Sequence, residues 1–363
     1  MFRLFFLFVF TYNALAAQET LGIFTYKVLG MPAWDPDSVK SGVTGSEEAV
    51  IYMAEQLAKI GYQVFVFGDP PKNSPHALPE ANPRYVDVHY HDGTQLDIAL
   101  AWRMGDSSEW LKTRAKKVYL WPHDTVHRTF TENEIKGFSG VLWLSEWQRQ
   151  QWLTLNPTFA KFTQIFGNGI NPDQFKPVSE RASPYACIYG SNYARGLDIL
   201  LNIWPNIKQK FPHATLDVYY GWQHWGLIPP EKEAQMRAQI KELASKGVQD
   251  HGLVGHEELN RAYERASLWT YPCTGLETFC ITALRAQLSG ALPVILEGSA
   301  LAETVRFGFK CQKQEDYEKL LLEALSSAEK ISLSERKKMR AFILQDYTWE
   351  ALAKKWSAYF KAN

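Results

Sequence analysis

The stretch Gly42-Val-Thr-Gly-Ser-Glu-Glu-Ala-Val-Ile-Tyr-Met-Ala-Glu-Gln-Leu-Ala-Lys-Ile-Gly-Tyr-Gln-Val-Phe-Val-Phe67 reads as a helix followed by a buried strand. Thr44 or Ser46 can cap the helix, and Glu47 and Glu48 sit in its first turn, where the helix dipole favours anions. Ile51, Ala54, Leu57 and Ala58 then recur on one face until Gly61 stops the pattern. Tyr62 to Phe67 is mostly apolar without alternation, as in a parallel strand covered on both faces. Working outward, Thr20 to Tyr26 is a β-branched and aromatic run, separated from the helix by a polar loop over Gly30 to Thr44. Strand, loop, helix and strand make a βαβ unit. The alternation continues through strands at Ile98 to Trp102, Lys117 to Trp121 and Val141 to Ser145.

Phe166-Gly-Asn-Gly-Ile-Asn-Pro-Asp-Gln-Phe-Lys-Pro-Val178 gathers turn formers and two prolines, and reads as a hinge. Beyond it a second series begins. Strands are expected at Tyr185 to Tyr189, Ala214 to Tyr220, Val248 to Leu253, Leu268 to Tyr271 and Pro293 to Leu296, with helices at Gly196 to Lys210, Glu231 to Ser245, Glu257 to Ala266 and Phe279 to Ser289. The fold class is therefore α/β, with two doubly wound Rossmann-like domains over residues 17–178 and 179–345. Such sheets take ligand at the carboxyl ends of their strands, so the expected site is the interdomain cleft.

The 363 residues, 46% hydrophobic, suffice for two cores. Lysine plus arginine balances aspartate plus glutamate at 39 each, so no global field exists to attract nucleic acid. Cys187, Cys273, Cys280 and Cys311 form no C-x-x-C pair and no cluster with histidine, against a zinc or dithiol redox site. At the N-terminus, Arg3, the apolar run Leu4 to Phe10 and Ala14-Leu15-Ala16 read as a secretory signal peptide over residues 1–16. That reading implies export or a luminal site; without it the chain is cytoplasmic.

Four polar features follow strand ends. Gly42-Val-Thr-Gly45 precedes a helix N-terminus and can meet an anion with backbone N–H groups, although plain turn chemistry uses the same residues. Arg195 opens the helix after Tyr185 to Tyr189, where a guanidinium can clamp a diphosphate or simply face solvent. Glu277 lies in the loop after Leu268 to Tyr271, as a ligand or as a cap. His123-Asp124 reaches toward the same crevice from the first domain. Each is ambiguous alone, but all four fall on one cleft.

These pieces, in their order, resemble glycosyltransferase family 4. They are Trp34-Asp-Pro with Gly42-Val-Thr-Gly-Ser-Glu-Glu-Ala-Val50, His123-Asp124, Leu144-Ser-Glu-Trp-Gln148, Gly167-Asn-Gly-Ile-Asn171, Arg195-Gly-Leu-Asp198, Tyr219-Tyr-Gly-Trp222, Glu277-Thr-Phe-Cys-Ile-Thr-Ala-Leu284 and Gly290-Ala-Leu-Pro-Val294. The resemblance implies a GT-B fold and a retaining transfer of a hexose from a nucleotide diphosphate sugar to a glycan or lipid-linked acceptor, the latter with peripheral membrane contact. It implies no metal and no separate cofactor, because fixed cations and backbone dipoles neutralise the leaving diphosphate. His123, Arg195 and Glu277 match the family's catalytic positions. Gly45, Ser191, Arg195, Phe279 and Arg285 fall in its donor-binding segments. The final segment resembles the helix that crosses back to the N-terminal domain, over residues 346–363.

Two departures stand out. The family's second motif glutamate, which contacts the ribose, is Arg285 here, and Gly190-Ser191 occupies the region of its first basic residue, leaving Arg195. Arg285 is expected to lean back along its helix toward the donor, and Arg285→Glu to keep or improve donor binding. A nucleotide-sugar epimerase or hydrolase of the same fold, or a non-catalytic nucleotide-sugar-binding protein, are the alternatives.

Overall fold

A computed structural model describes residues 18–26, 32–103, 107–222 and 228–363. The signal-peptide reading of residues 1–16 lies outside them.

The described residues build two six-stranded sheets. The first half supplies β1 (Thr20–Phe24), α1 (Gly45–Lys59), β2 (Gln63–Gly68), β3 (Arg84–Asp87), β4 (Leu96–Trp102), α2 (Ser108–Lys112), β5 (Ala115–Trp121), α3 (Glu132–Lys136), β6 (Gly140–Val141) and α4 (Glu146–Leu155). Its strands run parallel in the order β3-β2-β1-β4-β5-β6. The second half supplies β7 (Ala186–Gly190), α5 (Leu197–Lys210), β8 (Thr215–Tyr219), α6 (Pro230–Leu243), β9 (Val248–Gly252), α7 (His256–Arg265), β10 (Leu268–Tyr271), α8 (Ile281–Ser289), β11 (Leu292–Leu296), α9 (Leu301–Thr304), β12 (Phe309–Cys311), α10 (Tyr317–Ser327), α11 (Leu333–Asp346) and α12 (Trp349–Ala362). Its sheet is also parallel, ordered β12-β11-β10-β7-β8-β9. Strand order therefore reverses beside β1 and β4 in one sheet and beside β7 and β10 in the other, and crevices open at such reversals.

The short strand β3 has no counterpart among the expected elements. The expected strand at Val141 to Ser145 shrinks to Gly140–Val141, because Ser145 accepts a bond from the Gln148 amide at 3.0 Å and caps α4 instead. Thr44 stands at the N-cap of α1, but its hydroxyl turns to the Glu47 carboxylate rather than to the helix backbone.

One apolar cluster spans both halves. Phe279 and, from α8, Ile281, Leu284 and Leu288 join Ile51, Ala54 and Leu57 of α1 and Trp349, Trp356 and Phe360 of α12. Each large side chain buried there contributes about 1.5–3 kcal/mol. Trp356 meets Trp121 edge to face at 4.8 Å, which seats the last helix on the first sheet. The strand ends of the two sheets are thereby held across a common cavity.

Candidate functional site

The C-terminal half of the site is two loops pressed together. After β7 the chain runs through Ser191 and Asn192 to Arg195-Gly196, and after β10 it runs to Glu277. Gly196 has φ +99°, and a Cβ there would lie 2.0 Å from the Pro272 carbonyl oxygen, so only glycine permits the two loops to meet. The contact fixes Arg195, whose Nη1 lies 2.6 Å from Glu277 Oε1 as an ion pair without hydrogen-bond alignment. Burial opposes the Arg195 charge, but the Glu277 carboxylate outweighs it and holds the guanidinium protonated well above its ordinary range. Tyr271 donates its hydroxyl to the same carboxylate, Ser191 Oγ lies 3.1 Å from the Tyr271 hydroxyl, and the Glu277 amide donates to Ser299 Oγ at 2.9 Å.

Helix α8 begins at this point. Cys280 precedes it at φ +77°, and Cys280, Ile281 and Thr282 all line the cavity. The opposite end of the helix is held by arginines: Arg336 donates to the Gly290 carbonyl at 2.6 Å and Arg340 to that of Leu288 at 3.1 Å, while Arg181 donates to Ser289. Cations at the C-terminal carbonyls complement the helix dipole, and Cys280, Ile281 and Thr282 place the opposite, N-terminal end at the cavity.

The N-terminal half comes from the ends of β4 and β5. Gln148, fully buried, accepts from the Leu144 amide at 3.0 Å and donates to the Pro122 carbonyl at 2.9 Å, fixing the segment that carries His123. The His123 ring lies 4.7 Å from Trp121 and 5.8 Å from Trp102. Burial, with Arg103 adding to it, pushes its pKa well below the ordinary value, so the imidazole is neutral. Asp124 is engaged by Arg103 through Nε at 3.0 Å and Nη2 at 3.1 Å, a fork that neutralises both. The halves are stitched through Thr278, which donates to the His123 carbonyl at 2.9 Å and accepts from Ser145 Oγ at 2.8 Å.

Between the halves lies a cavity of about 360 Å³ that takes in Gly45, Arg103, His123, Asn168, Arg195 and Glu277. Among the described residues, two buried atoms of side chains that line it lack a protein partner, His123 Nε2 and Asn168 Oδ1. Unpartnered buried polar groups are rare in native proteins, and both of these belong to residues that line the cavity.

No family model and no curated protein matches the sequence. Solved structures do match. The chain is similar to a glycosyltransferase from Rickettsia africae, with TM-score 0.72 at 14% identity over 96% of this chain and 99% of that one. It is similar to the sucrose-phosphate synthase of Thermosynechococcus elongatus, with TM-score 0.71 at 16% identity over 95% and 99%. A third match, the Anabaena protein HepE in complex with UDP and glucose, has TM-score 0.68 at 14% identity over 95% and 100%. The fold is GT-B.

Within the GT-B cleft the structure brings together Gly45, His123, Ser191, Arg195, Glu277 and Phe279, which all line the cavity. Phe279 is chiefly a packing residue, 3% exposed and close enough to Gly167 that a Cβ there would lie 2.8 Å from its ring. Arg285 is not in the cleft wall, which corrects its expected place at the donor. The residue is 2% exposed, and its guanidinium donates to Glu48 of the N-terminal half at 2.8 and 3.0 Å and to Asn260 of α7. Helical spacing put Arg285 two turns from the Glu277 loop and leaning back toward the donor, but it pairs with a carboxylate of the other half. Arg103, Asn168 and Tyr220 line the cavity without having been singled out as site residues. Arg103 follows a strand end, and the strand-end rule that nominated Arg195 would have found it.

Among the described residues, Asp35, Asp37 and His76 bring one ligand atom each within 4.8 Å of one another. Asp35 already accepts from Ser74 at 2.6 Å and the Asp37 amide at 2.9 Å, and Asp37 pairs with Lys40 at 2.6 Å, so the group is a capped turn.

Proposed function

We propose that this chain is a retaining glycosyltransferase that moves a hexose from a nucleotide diphosphate sugar to a hydroxyl of a glycan or lipid-linked acceptor, without a metal. The observation that carries the reading is the meeting of Arg195, Glu277 and the N-terminus of α8 on one cavity with the neutral His123. A diphosphate suits the free N–H groups of α8 and the Arg195 guanidinium. Sugar hydroxyls suit Glu277, His123 Nε2 and Asn168 Oδ1. In the transfer, the anomeric carbon breaks its bond to the phosphate oxygen and forms one to the acceptor oxygen, and the acceptor proton passes to a phosphate oxygen. Arg195 and the α8 dipole stabilise the charge that grows on the leaving diphosphate. The complex of the structurally similar Anabaena HepE with UDP and glucose supports a nucleotide-sugar donor. No helix of the described residues is long and apolar enough to cross a membrane.

The replacement of the motif glutamate by Arg285 does not favour a non-catalytic binder, because Arg285 pairs with Glu48 and does not line the cavity. The test is a screen of uridine, guanosine and adenosine diphosphate sugars by thermal shift, followed by product analysis with and without acceptor. A donor that stabilises the fold and loses its sugar to an acceptor with retained anomeric configuration is the expected outcome. Binding without turnover, or epimerised or hydrolysed sugar alone, would overturn the proposal.

A further inference from the structure

The residue that replaces the expected donor contact sits in a buried polar network between the two halves. Arg285, on α8, donates to both carboxylate oxygens of Glu48, on α1, and to Asn260, on α7. Gln174, in the connecting segment, donates to the Tyr52 hydroxyl at 2.8 Å, and that hydroxyl lies 3.2 Å from His256 Nδ1. Glu48, Tyr52, His256, Asn260 and Arg285 are each at most 5% exposed. Burial pushes the His256 pKa below its ordinary value, so Arg285 is the cation facing Glu48.

Position gives the network its consequence. Gly45 is the first residue of α1 and lines the cavity, and Glu48 lies about one turn further in. Ile281 is the first residue of α8 and lines the cavity, and Arg285 also lies about one turn in. One buried ion pair thus cross-links two rigid helices just beneath the termini they present to the cleft. A buried pair adds little net stability against full hydration of both partners, but a displacement of a few ångströms leaves both charges neither paired nor hydrated. The pair therefore disfavours slid registers far more than it favours closure. Backbone contacts beside it are equally intolerant: a Cβ on Gly42 would lie 2.5 Å from the Val254 carbonyl oxygen, and one on Gly255 2.1 Å from that of Lys40.

We infer that Glu48 and Arg285 are positioning residues, an interdomain clamp that sets one register between the halves and so holds the N-termini of α1 and α8 on the cavity before donor arrives. The effect on catalysis rests on the glycosyltransferase reading; the clamp itself does not. The test uses the full chain with the double substitution Glu48→Leu and Arg285→Met, since well-packed apolar replacement of a buried pair usually preserves folding. The expected result is a folded protein in which amide exchange in the first turns of α1 and α8 accelerates at least 10-fold. Uridine diphosphate affinity should weaken, and donor KM should rise, by about the same factor, with a smaller change in kcat, because only the correctly registered fraction binds. A purely stabilising pair would lower Tm and leave KM and local exchange unchanged, and that result would overturn the inference. Should the double variant not fold, Glu48→Gln is judged by the same exchange criterion. If the wild type turns over no sugar nucleotide, the proposed function fails, and amide exchange alone decides the clamp.

Discussion

Replacing Arg195 with alanine tests the chemistry most directly. Its Nη1 lies 2.6 Å from Glu277 Oε1, with side-chain exposures of 34% and 12%. The substitution removes the fixed cation beside the α8 N-terminus and leaves Glu277 with the Tyr271 hydroxyl and the Ser299 contact to its amide. Loss of one preorganised charge-stabilising donor lowers kcat by about 10²- to 10³-fold, or about 2.7–4 kcal/mol. Fold stability should fall by only about 1–3 kcal/mol, because water reaches the vacated side of Glu277 and the tyrosine bond remains. Arg195→Lys should recover part of the rate, since a point charge replaces a planar fork. In a double-mutant cycle, Arg195→Ala and Glu277→Gln should couple by about 0.5–3 kcal/mol, as contacting residues do. Steady-state turnover with the donor identified by screening, alongside thermal unfolding of each variant, supplies every term. An alanine variant with turnover within a few-fold of wild type, or fully additive effects, would refute the placement of Arg195 at the leaving group.

The other predictions use different instruments. Gly196→Ala forces a Cβ to within 2.0 Å of the Pro272 carbonyl oxygen at φ +99°, so it should displace the Arg195 loop, and turnover close to wild type would contradict that. Asn168→Leu removes a buried acceptor and should raise donor or acceptor KM roughly 5- to 150-fold, the equivalent of about 1–3 kcal/mol; unchanged KM values for both substrates would take Asn168 out of the site. His123 has a folded pKa depressed below 6.5, so as pH falls through 6.5 the unfolded chain gains a proton that the native state excludes, and stability is lost. Each such histidine contributes a slope of at most about 1.4 kcal/mol per pH unit; denaturant titrations from pH 7 to 5 should show a shallower slope for His123→Gln, with His256 still contributing, and an unaltered slope would argue against a neutral buried His123. Arg285→Glu, which the bare sequence would favour as a repair of the donor site, should instead destabilise the fold by about 3–5 kcal/mol by setting two carboxylates together in a buried site, and a stable variant with improved donor affinity would restore the sequence-based view.

The sequence by itself determined the alternation of strand and helix, because hydrophobic period and turn residues act locally. Leu268 to Tyr271 is the same strand in the sequence reading and in the structure, and the helix read between Thr44 and Gly61 is α1, Gly45–Lys59. Parallel strands with both faces covered must lie between helices, so the rule that ligands meet strand ends already pointed to Arg195, Glu277 and His123. The sequence could not say which partner each polar side chain would choose. Thr44 turned to Glu47 instead of capping α1, Asp124 was taken up by Arg103, and Arg285 was drawn to Glu48 at a separation of 237 residues. The Arg285 choice depends on which groups the assembled domains bury together, since desolvation makes any unpaired charge costly and the nearest opposite charge in space wins over the nearest in sequence. Tertiary structure alone decided that Arg285 joins the two halves rather than lining the cavity, and that His123 and Asn168, which line it, each keep a buried atom without a partner.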